Sequence, residues 1–297
     1  HYVLGATRFW QGHFAAACGH LEQAIAHYTP HRRSTHIRLY AQDPKVICSV
    51  RLALNLWYLG YPNQALRLCR ETLVRARELA HPLSIMYVLS FASWLHLEHG
   101  DFATAQELLA SMKSLSADHK LFAYWPLVAT IYEGWLRVEA GAVEAGIAQM
   151  SQALADYQHI DRGIGILFQF ALLARAHLRS RELAQGLVGL SEALTLAAHS
   201  GSHYYDAEFY RLKGELLLSQ GADASAAEAC FHKALTIAHQ QKAKSLELRA
   251  ALSLGRLWRR QGKAAEARQM LLETYGWFTE GFNTPDLQAA RALLEEL

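Results

Sequence analysis

Cysteine is scarce in this chain, and the few present stand apart. Cys18, Cys48, Cys69 and Cys230 include no Cys-x-x-Cys pair, so the sequence offers no disulfide framework and suits buried free thiols in a reducing compartment. No apolar run reaches the roughly 18 residues needed to span a bilayer, and no signal peptide opens the chain, so a cytoplasmic, membrane-free location is expected. An excess of one charge is also missing. The formal net charge is +2, spread over both halves, and a nucleic-acid partner, which calls for a basic face or tail, is not expected. The chain begins at His1 rather than methionine, and a piece of something longer is the expectation that follows.

Catalytic signatures are equally thin. Gly262-Lys263 would need a glycine at 257 and a Ser/Thr at 264 to be a phosphate loop, and the chain has Leu257 and Ala264. Paired carboxylates, a nucleophile elbow and a metal-protease helix are all missing. Sixteen histidines invite a metal reading, yet His96/His99 and His27/His31 lack a convincing ligand set, so no metal and no cofactor is expected. The isolated chain is read as a non-enzyme.

What is present is apolar and periodic. Hydrophobic residues make up 52% and charged residues 19%, a composition that buries a large core. Gly12, Gly60, Gly100, Gly141, Gly221 and Gly262 each follow one apolar helix-type run and precede another, at separations of 48, 40, 41, 80 and 41 residues. The missing turn falls at Ser180 or Arg181. Seven helical hairpins with a period near 40 fit the chain, over approximately 1–29, 46–81, 84–117, 125–160, 164–200, 204–242 and 245–280.

Three further columns share this register. Seven residues before each turn stands a small residue: Gly5, Ala53, Ser93, Gly134, Ala174, Gly214 and Gly255. After each turn comes another, Ala17, Ala65, Ala105, Gly146, Gly186, Ala227 and Ala267. Four positions on is a larger partner: Leu21, Cys69, Leu109, Met150, Leu190, Phe231 and Leu271. Small residues are required where two helices of a hairpin cross with their backbones close. The long first step places about eight extra residues around Tyr28–Val46, whose Pro30, Asp43 and Pro44 read as loop chemistry. The remaining joints are short and include His81-Pro82, Ser116–Pro126, Asp161–Gly165, Gly201–Ser202 and Lys242–Ser245. Thr284-Pro285 reads as the start of a capping helix over 284–297, with Thr284 as its N-cap.

The fold expected is all-α: a single right-handed superhelical solenoid of hairpins like those of the tetratricopeptide repeat, closed by that C-terminal helix. In such a solenoid the first helices line the concave side. Turn-relative mapping places Leu54, Trp57, Trp94 and Trp135 on one half of the groove, and Arg175, Arg179, Arg211, Glu215, Arg249, Arg256 and Arg259 on the other. An aromatic half and an arginine-rich half would suit an amphipathic or acidic peptide, or a ligand with an apolar body and an anionic end. The competing reading makes the tryptophans inter-helix core and pairs the arginines with Glu208, Glu215 and Glu247.

Several stretches carry a family resemblance. They are Tyr205-Asp-Ala-Glu-Phe-Tyr-Arg-Leu-Lys-Gly-Glu-Leu-Leu-Leu218, Lys244-Ser-Leu-Glu-Leu-Arg-Ala-Ala251, Tyr275-Gly-Trp-Phe-Thr-Glu-Gly-Phe282, Gln42-Asp-Pro44 and Leu59-Gly-Tyr-Pro-Asn-Gln-Ala65. Together they resemble the C-terminal tetratricopeptide-type region of bacterial multidomain signalling proteins, in which a class III adenylate/guanylate cyclase domain or regulatory module precedes a STAND-type ATPase. The resemblance implies a protein-interaction and sensor module that regulates an attached or associated ATPase or cyclase, with catalysis outside this chain. The hairpin length also resembles the solenoid of maltose-type transcriptional activators, which implies a small-molecule effector as the alternative ligand. A third reading is an oligomerisation scaffold associating through His1–Trp10.

Overall fold

Left-handed residues set the frame. In the computed structural model of the chain, which describes residues 1–119, 124–160 and 164–297, the six turn glycines all take positive φ, between 78° and 94°. The seventh turn is made by Arg181, at φ 61°. A side chain there crowds its own carbonyl, so Arg181→Gly should stabilise this hairpin by about 1 kcal/mol. Slower amide hydrogen exchange in the two helices flanking the turn is the readout, and an unchanged or faster rate would refute it.

All regular structure among the described residues is helical. The hairpins are α1 (Tyr2–Trp10) with α2 (Phe14–Ala26), α4 (Pro44–Tyr58) with α5 (Pro62–Leu79), and α6 (Pro82–His99) with α7 (Phe102–His119). They continue as α8 (Tyr124–Glu139) with α9 (Val143–Ile160), α10 (Leu167–Ser180) with α11 (Leu183–Ser200), α12 (Asp206–Ser219) with α13 (Ala224–Gln241), and α14 (Lys244–Arg260) with α15 (Ala264–Tyr275). Two elements stand outside this pairing, α3 (Arg33–Tyr40) and α16 (Pro285–Glu296).

The small-residue columns are buried throughout, and the larger partners face them as their register requires. A Cβ added at Gly5 would meet Leu21, one at Gly134 would meet Met150, one at Gly214 would meet Phe231 and one at Gly255 would meet Leu271, at 2.5–3.0 Å. These are the pairs four positions beyond the small residue of each second helix.

The connections differ in part from the expected joints. The Tyr28–Val46 stretch is not loop alone. Pro30 opens a 3-10 turn with its fixed φ, α3 follows, and Ala41 stops it in the left-handed region. α3 carries no apolar period, and none of its residues is buried. The joint expected over Ser116–Pro126 is shorter, because α7 runs on to His119 and α8 starts at Tyr124; residues 120–123 between them lie outside the described residues. Of the Asp161–Gly165 joint, 161–163 lie outside the described residues, and Ile164–Ile166 is a 3-10 turn. Thr284 occupies the cap position of α16, but its side chain makes no capping hydrogen bond.

The contacts group into two compact units. Unit 1 comprises His1–Phe9, His13–Trp57 and Asn63–Arg162; unit 2 comprises Trp10–Gly12, Tyr58–Pro62 and Gly163–Leu297. Within unit 2 the first helices of successive hairpins lie side by side, α10 against α12 and α12 against α14, and α16 continues the row against α14. Leu287, Ala290 and Leu293 of α16 pack onto Leu248 and Leu252 of α14 and Leu271 of α15. Covering an open apolar face in this way is what a terminal cap does in a repeat array. Burying each of those leucines contributes about 1.5–3 kcal/mol.

Candidate functional site

One column of the repeat carries more than half of the residues expected to line a groove. Six residues before the turn stand Leu54, Trp94, Trp135, Arg175, Glu215 and Arg256. In unit 1 this column is core. Leu54, Trp94 and Trp135 are buried, as is Trp57, so the expected aromatic half of a groove presents no surface. Trp94 packs edge-on to Phe9 and tilted against Phe91, and Trp57 packs edge-on to His99.

In unit 2 the same column turns polar, and the arginines converge. Arg175 of α10, Arg211 of α12, Arg249 and Arg256 of α14, with Leu252, Ser253, Asp286 and Ala289, line a cavity of about 190 Å³. Arg211, ten residues before its turn, and Arg249, thirteen before its own, share the helical face of the sixth position. That spacing, repeated on adjacent first helices, brings four guanidinium groups together.

Glu208 anchors the floor. Its side chain is fully buried, and the two arginines beside it favour the ionised form. Arg175 Nη2 donates to one carboxylate oxygen at 2.6 Å, while Arg211 donates through Nη2 at 2.7 Å and Nε at 2.8 Å, a bidentate fork. Burial alone would push the Glu208 carboxyl up. The Arg211 and Arg175 charges, the Arg211 hydrogen bonds and the more distant Arg249 outweigh it and hold the group well below the usual carboxylate range. Arg175 Nη2 also donates to Tyr205 Oη at 3.1 Å.

The wall is built the same way. Ser253 Oγ donates to Glu215 at 2.6 Å and accepts from Arg211 Nη1 at 3.3 Å. Arg249 Nε donates to Asp286 Oδ2 at 2.7 Å, tying the cavity to the first turn of α16. Arg256 is different. It is exposed and has no ion pair or hydrogen bond among the described residues.

The remaining expected residues lie off the cavity. Arg179 is exposed on α10, and Arg259 pairs with Glu296. Glu247, one of the acidic partners expected for the arginines, instead takes Lys244 at 2.7 Å. His96 is committed to Asp101 at 3.0 Å, and His27 bonds the Gln23 carbonyl of its own helix. Sequence reasoning missed Leu252, Ser253, Asp286 and Ala289. Asp286 and Ala289 belong to the one helix outside the repeat that reaches the cavity, so no column pointed to them.

No protein-family model matches the chain. An uncharacterized protein of Rhizobium meliloti (strain 1021) is 22% identical over 215 residues, 72% of this chain, and the chain spans about a fifth (21%) of that protein's length. Among solved structures, a Rap protein complexed with Competence and Sporulation Factor is similar with a TM-score of 0.64 at 16% identity, over 99% of this chain and 86% of that one. The apo form of RapI is similar with a TM-score of 0.56 at 11% identity, over 100% and 98%. At such identities the likeness is one of fold: the chain is an all-α helical-repeat protein of the tetratricopeptide-like kind.

Proposed function

We propose that the chain is a non-catalytic interaction module that binds an acidic segment of a protein or peptide partner. The carrying observation is the cavity lined by Arg175, Arg211, Arg249 and Arg256, assembled on one layer of first helices and ending in a guanidinium with no internal partner among the described residues. Guanidinium groups fixed in place by buried carboxylates recognise carboxylates with little reorganisation. The solved Rap protein of similar fold, complexed with Competence and Sporulation Factor, supports partner binding on such a scaffold.

The much longer Rhizobium relative fits a module working inside a larger protein, and the finer reading takes its effector from the family resemblance of the sequence. Occupancy of the site would regulate an attached or associated signalling ATPase or nucleotide cyclase, by favouring one of two packings of the repeats.

Fluorescence anisotropy on the full chain tests the binding step. Labelled Asp/Glu-containing peptides should bind saturably and lose affinity as salt rises, while copies with Asn/Gln at the same positions should not bind. Equal binding of both sets, or none of either, would overturn the reading.

A further inference from the structure

The charges around the cavity are unequal by one. Arg175, Arg211, Arg249 and Arg256 face Glu208, Glu215 and Asp286, four positive groups against three negative. A single monoanion restores balance, whereas a phosphate dianion would leave net negative charge against three carboxylates already in place. Resting on the interaction-module reading above, we infer that the cavity is a receptor for one carboxylate group of a peptide partner, with Arg256 as its first contact.

Three observations support carboxylate over other anions. The cavity already holds one: Asp286 takes the Arg249 Nε–H at 2.7 Å, so the geometry for carboxylate ligation is present in the wall itself. The volume, about 190 Å³, has room for one amino-acid side chain. The lining also includes Leu252 and Ala289, which give the carbon stem of such a residue an apolar wall. Arg175 and Arg211, locked onto Glu208, form a fixed positive floor, and Arg256 is left to close over the ligand.

A carboxylate of this kind has two sources, an Asp or Glu side chain and a peptide C-terminus. Isothermal titration of the full chain with four small probes separates them: N-acetyl-leucine for the terminus, N-acetyl-aspartic acid α-amide for the side chain, N-acetyl-leucinamide as the neutral control, and inorganic phosphate. At least one carboxylate should bind with millimolar affinity and the amide should not. Arg256→Gln, a change at an exposed position, should weaken that binding about tenfold. Asp286→Asn should strengthen it several-fold, because it removes one negative charge from the wall of the cavity, even though it loosens α16. Opposite signs for these two variants are not what a merely structural role would give.

The inference is overturned if the amide binds as well as the acids, if phosphate binds more tightly than either, or if Arg256→Gln leaves affinity unchanged. Should acidic peptides still bind the Arg256→Gln chain at full strength, the module reading stands and the cavity is not its site. Should the small carboxylates bind while no acidic peptide does, the cavity assignment stands and the module reading fails.

Discussion

Replacing Glu208 by Gln should destabilise unit 2 by about 3–5 kcal/mol, the range for removing one partner of a buried ion pair. The variant keeps the shape of the side chain but turns one oxygen into a donor facing Arg175 and Arg211, whose side chains are only 17% and 15% exposed. Two guanidinium groups would then sit in a half-buried layer with one neutral acceptor between them, next to Arg249 and Arg256. Hydrogen exchange resolved by segment is the appropriate measurement, with protection lost in α10, α12 and α14. Nearest-neighbour coupling of repeats confines the effect to the interfaces they share.

The same carboxylate predicts a pH dependence with a definite sign. Its folded pKa lies below the ordinary 4.5, because the two arginines overcome the effect of burial. Above about 4.5 the group is ionised in folded and unfolded chains alike, and its full stabilisation is present. As pH falls below that value the unfolded chain takes up the proton first, and stability drains away toward the depressed folded pKa. Glu208→Gln should remove this acid sensitivity from unit 2. A Gln variant as stable as the parent at pH 7, or equally acid-sensitive, would show that the Arg–Glu–Arg cluster contributes little.

What could be read from the sequence divides along physical lines. Turn positions and the small/large columns were legible because each expresses a local steric demand that repeats: a left-handed residue at a hairpin tip, and no side chain where two helices cross. Arg181 shows the strength of that register, since the structure puts a left-handed residue at the turn even where glycine is missing. The site was half legible. Four of the seven residues expected on the polar half do line one cavity. The aromatic half was misplaced because position in the repeat fixes the face of a helix but not what covers it. Trp94 and Trp135 share the column of Arg256, and neighbouring helices bury the first two and leave the third open. Asp286 was out of reach for another reason: its partner Arg249 is 37 residues away on a different helix, and only docking of α16 brings them together.

The second large effect belongs to the crossing of α8 and α9, where Gly134 and Gly146 meet. A Cβ on Gly146 would stand 2.5 Å from the Gly134 carbonyl oxygen and 2.6 Å from Val138 Cγ2; one on Gly134 would stand 2.5 Å from Met150 Cγ. The first of these obstacles is backbone in a neighbouring helix, which cannot swing away as a side chain can. Gly146→Ala gains about 1 kcal/mol of helix propensity, yet overpacking of this kind costs about 1–3 kcal/mol, so the net change should be destabilising. Gly146→Val adds two more carbons and loses most of the propensity gain, and should cost about 3 kcal/mol or more. Gly19, in the interior of α2 with nothing within 4 Å of the place a methyl group would take, is the control of opposite sign. Gly19→Ala should stabilise by about 0.5–1 kcal/mol, since there only propensity acts. Urea unfolding followed through the hydrogen exchange of α2, α8 and α9 distinguishes the two glycines. If Gly146→Ala stabilised as Gly19→Ala does, helix propensity alone would account for these glycines, and the close-crossing rationale for the whole small-residue column would fall.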